Sequence, residues 1–432
     1  MKHVIIGGSA AGMRCAETLR RLDPKCEITV VSEENHPFYS RCMTSYYIAG
    51  KIEESAMLMR EPGFYESRRI NVLMGKKATS VDPGRKTVNI DDGTELGYDR
   101  LLLATGGSAK IPDIPGARKR GVFKLRTWED AAAIAARARL ARKAVLVGGG
   151  LIGMKAACAL HEVGLEVRVV ISSGRVLSQM LDDVSSAIAR EKLVSRGFVI
   201  DTRCDVVEIE GGEEVRQAVL SDGRRVDADL IVIGKGVDPE VGLAESCGAR
   251  IGRGIVVDDH LQTSVPGIYA AGDAAEAYDV AYETPRVNAM WTAATAQGRV
   301  AAYNMAGIPT RYPGSVGMNS IDIFGLPFIS MGVTSPREPG YTELVRKGRG
   351  DWYRKLVVKD GVIRGAIFAG GVDRAGVVLA LIKKKVRRDD APERILADDF
   401  TYATFMDAID DKGRYFEEGG KRNVQRIMQG GY

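Results

Sequence analysis

Two glycine-rich turns, each directly after a β-branched run, constrain this chain more than any other feature. The first is Val4-Ile5-Ile6-Gly7-Gly8-Ser9-Ala10-Ala11-Gly12. The second is Ala144-Val145-Leu146-Val147-Gly148-Gly149-Gly150-Leu151-Ile152-Gly153. A strand that breaks on glycine and turns at once into a helix aims backbone N–H groups outward. They lie at the positive end of the helix dipole, where a pyrophosphate binds if no side chain blocks its approach. One such turn also ends ordinary strands. Two imply two dinucleotide sites and electron traffic between them, because each opens a strand-helix-strand pattern. The first pattern reads as strand 3–8, helix 11–22 and strand 27–32, and the second spans 143–171.

In the first turn Gly7 permits the tight bend, Ser9 takes the usual second-glycine place, Ala11 keeps the helix start small, and Gly12 permits helix–strand packing. Glu33, just past the second strand, is placed to accept hydrogen bonds from a ribose. The second turn matches Gly-x-Gly-x-x-Gly in full through Gly148, Gly150 and Gly153, with Leu151 and Ile152 inside the motif and Gly236 in a later turn of the same region. A ribose-binding acid would fall near Ile171, and no acid stands there. No arginine pair for a 2′-phosphate is evident either; Arg175 alone could serve one, or simply solvate a loop. The reading therefore favours NAD(H) over NADP(H).

The chain has 432 residues, enough for two or three domains with proper cores. Its 45% hydrophobic and 27% charged content is that of an ordinary globular protein. A net charge of +5 is too small and too dispersed to argue for nucleic acid. No apolar run approaches the ~18 residues that span a bilayer, and a strand beginning at His3 leaves no room for a signal peptide. A cytoplasmic location is expected. The six cysteines (Cys15, Cys26, Cys42, Cys158, Cys204, Cys247) include no close pair. That excludes a Cys-x-x-Cys motif and the clustered ligands of an iron–sulfur site held by this chain alone, and no metal site is read.

The fold class expected is α/β: two Rossmann-like dinucleotide-binding domains, one inserted in the other, plus a C-terminal α+β interface domain. Residues 1–112 and 240–311 form the first, 113–239 the second and 312–432 the third. Leu101 to Gly107 is a buried strand ending in a turn, and the proline-rich Ile111 to Gly116 reads as a linker. An alanine-rich helix runs to about Ala306, strand-like alternation begins near Tyr312, and an apolar helix covers 375–387. The last fifteen or so residues are charged and glycine-rich and read as a mobile tail.

Ala104-Thr105-Gly106 and Ala271-Gly272-Asp273 do not belong to a bare NAD fold. Together with the two glycine turns, in that order, they make the chain resemble the pyridine nucleotide-disulfide oxidoreductase superfamily of flavoproteins. The resemblance implies FAD at the first turn, with Gly7, Gly12, Glu33, Thr105, Gly106 and Asp273 in contact. Arg41 would help hold the flavin, and Trp291 and Gln297 would lie towards the isoalloxazine. The Gly148 turn would take the nicotinamide nucleotide. Lys155 stands where relatives usually carry glutamate near the nicotinamide; it is read either as an exposed helix residue or as a change in the electrostatics of hydride transfer.

Cys42 has two readings. In single-cysteine relatives (coenzyme A disulfide reductases, NADH oxidases and peroxidases) a cysteine in the matching place is redox-active. In rubredoxin- and ferredoxin-reductase-like relatives it would only pack. The first reading is weakened because the Gly7 loop lacks the histidine of the oxidases and because Asp398 to Ala403 departs from the segment that completes the disulfide reductase site. Met318 to Pro327 resembles flavoprotein subunits that exchange electrons with iron–sulfur partners. The run Lys383-Lys384-Lys385-Val386-Arg387-Arg388 could dock an acidic surface, but it reads better as cations complementing a helix C-terminus. The resemblance thus implies an NAD(P)H-dependent FAD oxidoreductase passing electrons to an iron–sulfur partner, with a homodimer possible through the last domain. The rival is a self-contained coenzyme A disulfide or persulfide reductase, or NADH oxidase, using Cys42.

Overall fold

A computed structural model describes residues 1–387, 392–397 and 400–401. Arg388 and the C-terminal tail lie outside the described residues. The chain begins with β1 (Lys2–Ile6), α1 (Ala10–Leu22) and β2 (Glu27–Ser32), and β3 (Asn71–Met74) and β4 (Arg100–Leu103) follow. It then crosses through β5 (Gly107–Ala109) into a second unit. This holds β6 (Val122–Lys124), α2 (Trp128–Ala138), β7 (Lys143–Val147), α3 (Leu151–Glu162), β8 (Glu166–Ile171), α4 (Asp183–Val194), β9 (Val199–Thr202) and β10 (Leu230–Ile233). The chain returns through β11 (Val237–Pro239), and β12 (Ile268–Ala270) and α5 (Trp291–Met305) follow. Last come β13 (Met318–Ile323), β14 (Leu326–Gly332), β15 (Tyr341–Lys347), β16 (Tyr353–Lys359), β17 (Val362–Ala369) and α6 (Ala375–Lys383).

Two parallel sheets dominate, ordered β12-β4-β1-β2-β3 and β9-β8-β7-β10-β6. Parallel strands are covered on both faces and so read as unbroken apolar runs, as Leu101-Leu102-Leu103 and Ala144-Val145-Leu146-Val147 do. Strand order reverses between β1 and β4 in one sheet and between β7 and β10 in the other. Open parallel sheets bind ligands at such switch points, beyond the strand carboxyl ends. Gly7 and Gly148 sit at those two points. The crossing strands β5 and β11 pair antiparallel, Ser108 opposite Asp238, so the second unit hangs from a two-stranded ribbon.

The third sheet is antiparallel, ordered β13-β14-β17-β16-β15, and its core merges with that of the second unit. Tyr353 on β16 donates to Asp182 Oδ2 at 2.5 Å, and buried Lys355 reaches Asp182 (3.4 Å) and Glu343 (2.8 Å). No helix among the described residues is long and apolar enough to cross a membrane.

Three local readings need correction. β1 ends at Ile6 rather than residue 8, because Gly7 adopts φ +112° and leaves the strand. The segment 111–116 is no free linker: Ile209 N donates to Pro115 O at 2.8 Å, while Ile114 and Ala117 pack on the second unit. The last helix stops at Lys383, and Lys385 takes a left-handed φ of 48°.

Candidate dinucleotide sites

At the first switch point the backbone leaves no room for side chains. A Cβ on Gly7 would lie 2.0 Å from Ala104 O, and one on Gly12 would lie 1.9 Å from Gly7 O. The helix that follows starts open: Ser9 makes no side-chain capping bond, and the first turn holds no acid. α3 after Gly150 and α5 after Met290 start open in the same way. By contrast, α2 and α4 are closed by capping boxes built on Thr127 and Asp182. The uncapped N–H groups at the starts of α1 and α3, just past the Gly7 and Gly148 turns, are therefore available to an anionic ligand.

Around the first site, Arg126 links residues that are distant in sequence. Its Nη2 pairs with Asp273 at 2.8 Å, each side chain about a fifth exposed, and lies 3.4 Å from where a Cβ on Gly106 would sit. Its carbonyl accepts from Arg41 Nη1 at 2.7 Å, and Arg41 also ion-pairs with Glu34. Thr105 donates to Glu240 O at 2.6 Å, and Gly106 bends at φ +75°. Neither Arg126 nor Glu34 was legible in sequence, since an arginine before a capping threonine carries no distinctive spacing. Glu33 is exposed and pairs with Lys77 at 2.9 Å. Ala11 is buried, and its carbonyl lies 2.1 Å from where a Cβ on Gly298 would sit, which brings α1 and α5 into close contact. Gln297 faces inward: its Oε1 accepts from Gly272 N at 2.7 Å, and its Nε2 reaches Tyr312 OH at 3.4 Å. These residues fit a flavin dinucleotide. The open α1 start suits the pyrophosphate, Asp273 the ribityl hydroxyls, and Arg126 adds a cation at the same mouth.

Trp291 opens α5 and lines a groove of about 540 Å³ with Ala10, Arg14, Glu17, Arg60 and Arg299. Arg60 pairs with Glu17 at 2.9 Å. Arg14 and Arg299 have no carboxylate partner among the described residues.

At the second switch point Gly148 adopts φ +115°, and a Cβ there would lie 2.4 Å from Gly234 O. A Cβ on Gly153 would meet Gly148 O at 3.1 Å. Leu151 is half-buried and Ile152 exposed. Gly236 bends at φ +102° and accepts from Lys110 N at 2.9 Å. Ile171, where an acid was sought, is buried against Gly149. Lys155 is half-buried on α3. Near it on that helix is Cys158, whose thiol burial pushes up to about 12.

Two cations unremarked in sequence converge on the loop after β8. Lys235 Nζ lies 3.4 Å from Ser172 Oγ and 2.6 Å from Asp205 Oδ1. Arg203, at φ 54°, lays its guanidinium beside Gly174, its Nε 3.5 Å from where a Cβ would be. Lys235 also lines a cavity of about 580 Å³ walled by Ile111, Pro112, Ile114 and Val206.

Cys42 is exposed in the turn Arg41–Met43, and none of the six cysteines is paired. Within the basic run, Lys385 is held by Glu283 at 2.6 Å and by Tyr278 at 3.0 Å. Of the segment 398–403, Phe400 is buried and Thr401 exposed; Asp398, Asp399, Tyr402 and Ala403 lie outside the described residues.

Residues 1–298 match the family described as pyridine nucleotide-disulphide oxidoreductase, and 318–386 match the rubredoxin NAD+ reductase C-terminal domain. The chain is 31% identical to an assimilatory nitrate reductase electron transfer subunit of Bacillus subtilis, covering 88% of this chain and 49% of that protein. It thus spans about half the length of that relative. It is 30% identical to the NADH-dependent phenylglyoxylate dehydrogenase subunit epsilon of Aromatoleum evansii, covering 92% and 94% respectively. Among solved structures, a NAD-dependent persulfide reductase from A. fulgidus superposes with a TM-score of 0.84 at 30% identity, over 89% of this chain and 77% of that one. With two glycine turns at two switch points and the family match running through both, the chain belongs to the pyridine nucleotide-disulphide oxidoreductase family of NAD(P)H- and flavin-dependent enzymes.

Proposed function

We propose that this chain is the flavin-bearing, nicotinamide-dependent unit of an electron-transfer system whose partner carries an iron–sulfur centre. Bound FAD supplies two-electron exchange with a nicotinamide and one-electron exchange with a metal centre. The chain's own residues bind and orient. The open start of α1 and Asp273 hold one dinucleotide, and the open start of α3 holds the other.

The observation that carries the reading is the groove beside Trp291. Ala10, one of its lining residues, is the first residue of α1 after the Gly7 turn, so the groove opens next to the proposed flavin site. Arg14 and Arg299 have no carboxylate partner there among the described residues, which suits an acidic protein surface. The similarity to the Bacillus subtilis nitrate reductase electron transfer subunit agrees. The rival reading has its own support in exposed Cys42 and in the persulfide reductase likeness.

The deciding experiment is anaerobic reduction by NADH or NADPH of the wild-type chain and of Cys42→Ser. Unchanged nicotinamide-dependent reduction of a viologen dye by the variant is expected. A long-wavelength thiolate-to-flavin absorption band that disappears in Cys42→Ser, together with loss of disulfide or persulfide turnover, would overturn the proposal.

A further inference from the structure

We infer that the second dinucleotide site is built for an adenosine carrying a 2′-phosphate, so that this chain takes NADP(H) rather than the NAD(H) expected from sequence. The inference rests on assigning the Gly148 turn to a nicotinamide nucleotide. In a parallel sheet of this topology the adenosine ribose lies beyond the carboxyl end of the strand next to the glycine turn, which here is β8. An enzyme that accepts a free 2′-hydroxyl places a carboxylate at that strand end, and a carboxylate would repel a 2′-phosphate. This chain places buried Ile171 there, followed by Ser172 and Ser173.

The cations around that loop come from three separate segments. Arg175 is in the loop itself but is tied to Asp183 at 2.6 Å. Arg203 follows β9, and its side chain has no hydrogen-bond or ion-pair partner among the described residues, although it lies against Gly174. Lys235 follows β10 and already reaches Ser172 Oγ at 3.4 Å, sharing its charge with Asp205. A phosphate beside Ser172 would meet one hydroxyl, one ammonium and one unpaired guanidinium, a donor set typical of phosphate sites. The cavity that Lys235 also lines has one apolar wall of Ile111, Pro112, Ile114 and Val206, which suits the adjoining purine, and a charged rim of Lys110, Asp205 and Asp238. Asp205 opposes the phosphate, and it tunes the site by competing for Lys235.

Isothermal titration of the full-length, flavin-loaded chain tests this, with adenosine 2′,5′-bisphosphate and 5′-AMP as fragments and NADPH and NADH as whole ligands. The bisphosphate is expected to bind at least roughly tenfold more tightly than 5′-AMP, the gain of a charge-assisted contact. Arg203→Gln and Lys235→Met should each bring the ratio of the two affinities most of the way towards one. Asp205→Asn, which frees Lys235, should raise it severalfold. Equal affinity for the two fragments, or a preference untouched by both variants, overturns the 2′-phosphate site and leaves the nicotinamide site standing. Failure of NADH, NADPH and both fragments to bind overturns the assignment of the Gly148 turn itself, and the inference with it.

Discussion

Gly298 shows how a single residue holds the proposed flavin site together. A Cβ there would lie 2.1 Å from Ala11 O, and because that oxygen and the Gly298 Cα both belong to helix backbone, neither can move cheaply. Alanine is the better helix former by up to ~1 kcal/mol, but forcing apart two packed helices costs about 1–3 kcal/mol. The second effect wins. Gly298→Ala should lower the thermal midpoint and reduce the flavin retained through purification, as read from absorbance near 450 nm.

His3 gives a pH dependence with a definite sign. It is 2% exposed on β1, its Nδ1 has no partner, and burial, followed by the nearby N-terminal charge, lowers its pKa to about 4. The unfolded chain therefore binds a proton near pH 6.5 that the folded chain refuses. Its contribution to stability is complete above about pH 6.5 and is lost as pH falls towards 4. Urea unfolding between those values should show a steeper fall for the natural chain than for His3→Gln; equal slopes would remove His3 as the cause.

Among the elements, helix starts divide by role. Capping boxes at Thr127 and Asp182 close α2 and α4, which serve packing, whereas the helices after Gly7 and Gly148 stay open. Asp182 serves twice, since it caps α4 and receives Tyr353 and Lys355 from the third sheet. Burial opposes its ionisation, but hydrogen bonds from Ser185 and Tyr353, with Lys355 nearby, hold its carboxyl below the ordinary range. Asp182→Ala removes the cap and leaves Lys355 with Glu343 alone, and should cost on the order of 3 kcal/mol. Tyr353→Phe should cost about 1 kcal/mol, one hydrogen bond's worth. Chemical denaturation with both variants checks the ratio.

For the whole molecule, the consequential surface is the groove flanked by Arg14, Arg60 and Arg299. If an acidic iron–sulfur protein docks there, its nicotinamide-dependent reduction should slow as salt rises from 0.05 to 0.5 M, because screening weakens exposed charge attraction. Arg14→Gln/Arg299→Gln should lose most of that salt dependence while still reducing a small viologen dye. A salt response equal to that of the unaltered chain would move the docking surface elsewhere.

Much of this architecture is local enough to be read from the chain itself. A strand that is buried on both faces must be apolar throughout, and a helix that presents its N-terminus to phosphate must begin with glycine or another small residue. Those two requirements wrote Val4 to Gly12 and Ala144 to Gly153 into the sequence and determined the α/β class and the two switch-point turns. What tertiary structure alone decided are meetings between distant segments. Arg126 reaches Asp273, Gln297 turns inward to Gly272, and Lys385 is claimed by Glu283. Arg203 and Lys235 gather on the Ser172 loop because β8, β9 and β10 end on one edge of one sheet. A lone cation has no periodicity and no fixed spacing to its partners. Its role exists only once the fold has carried it there.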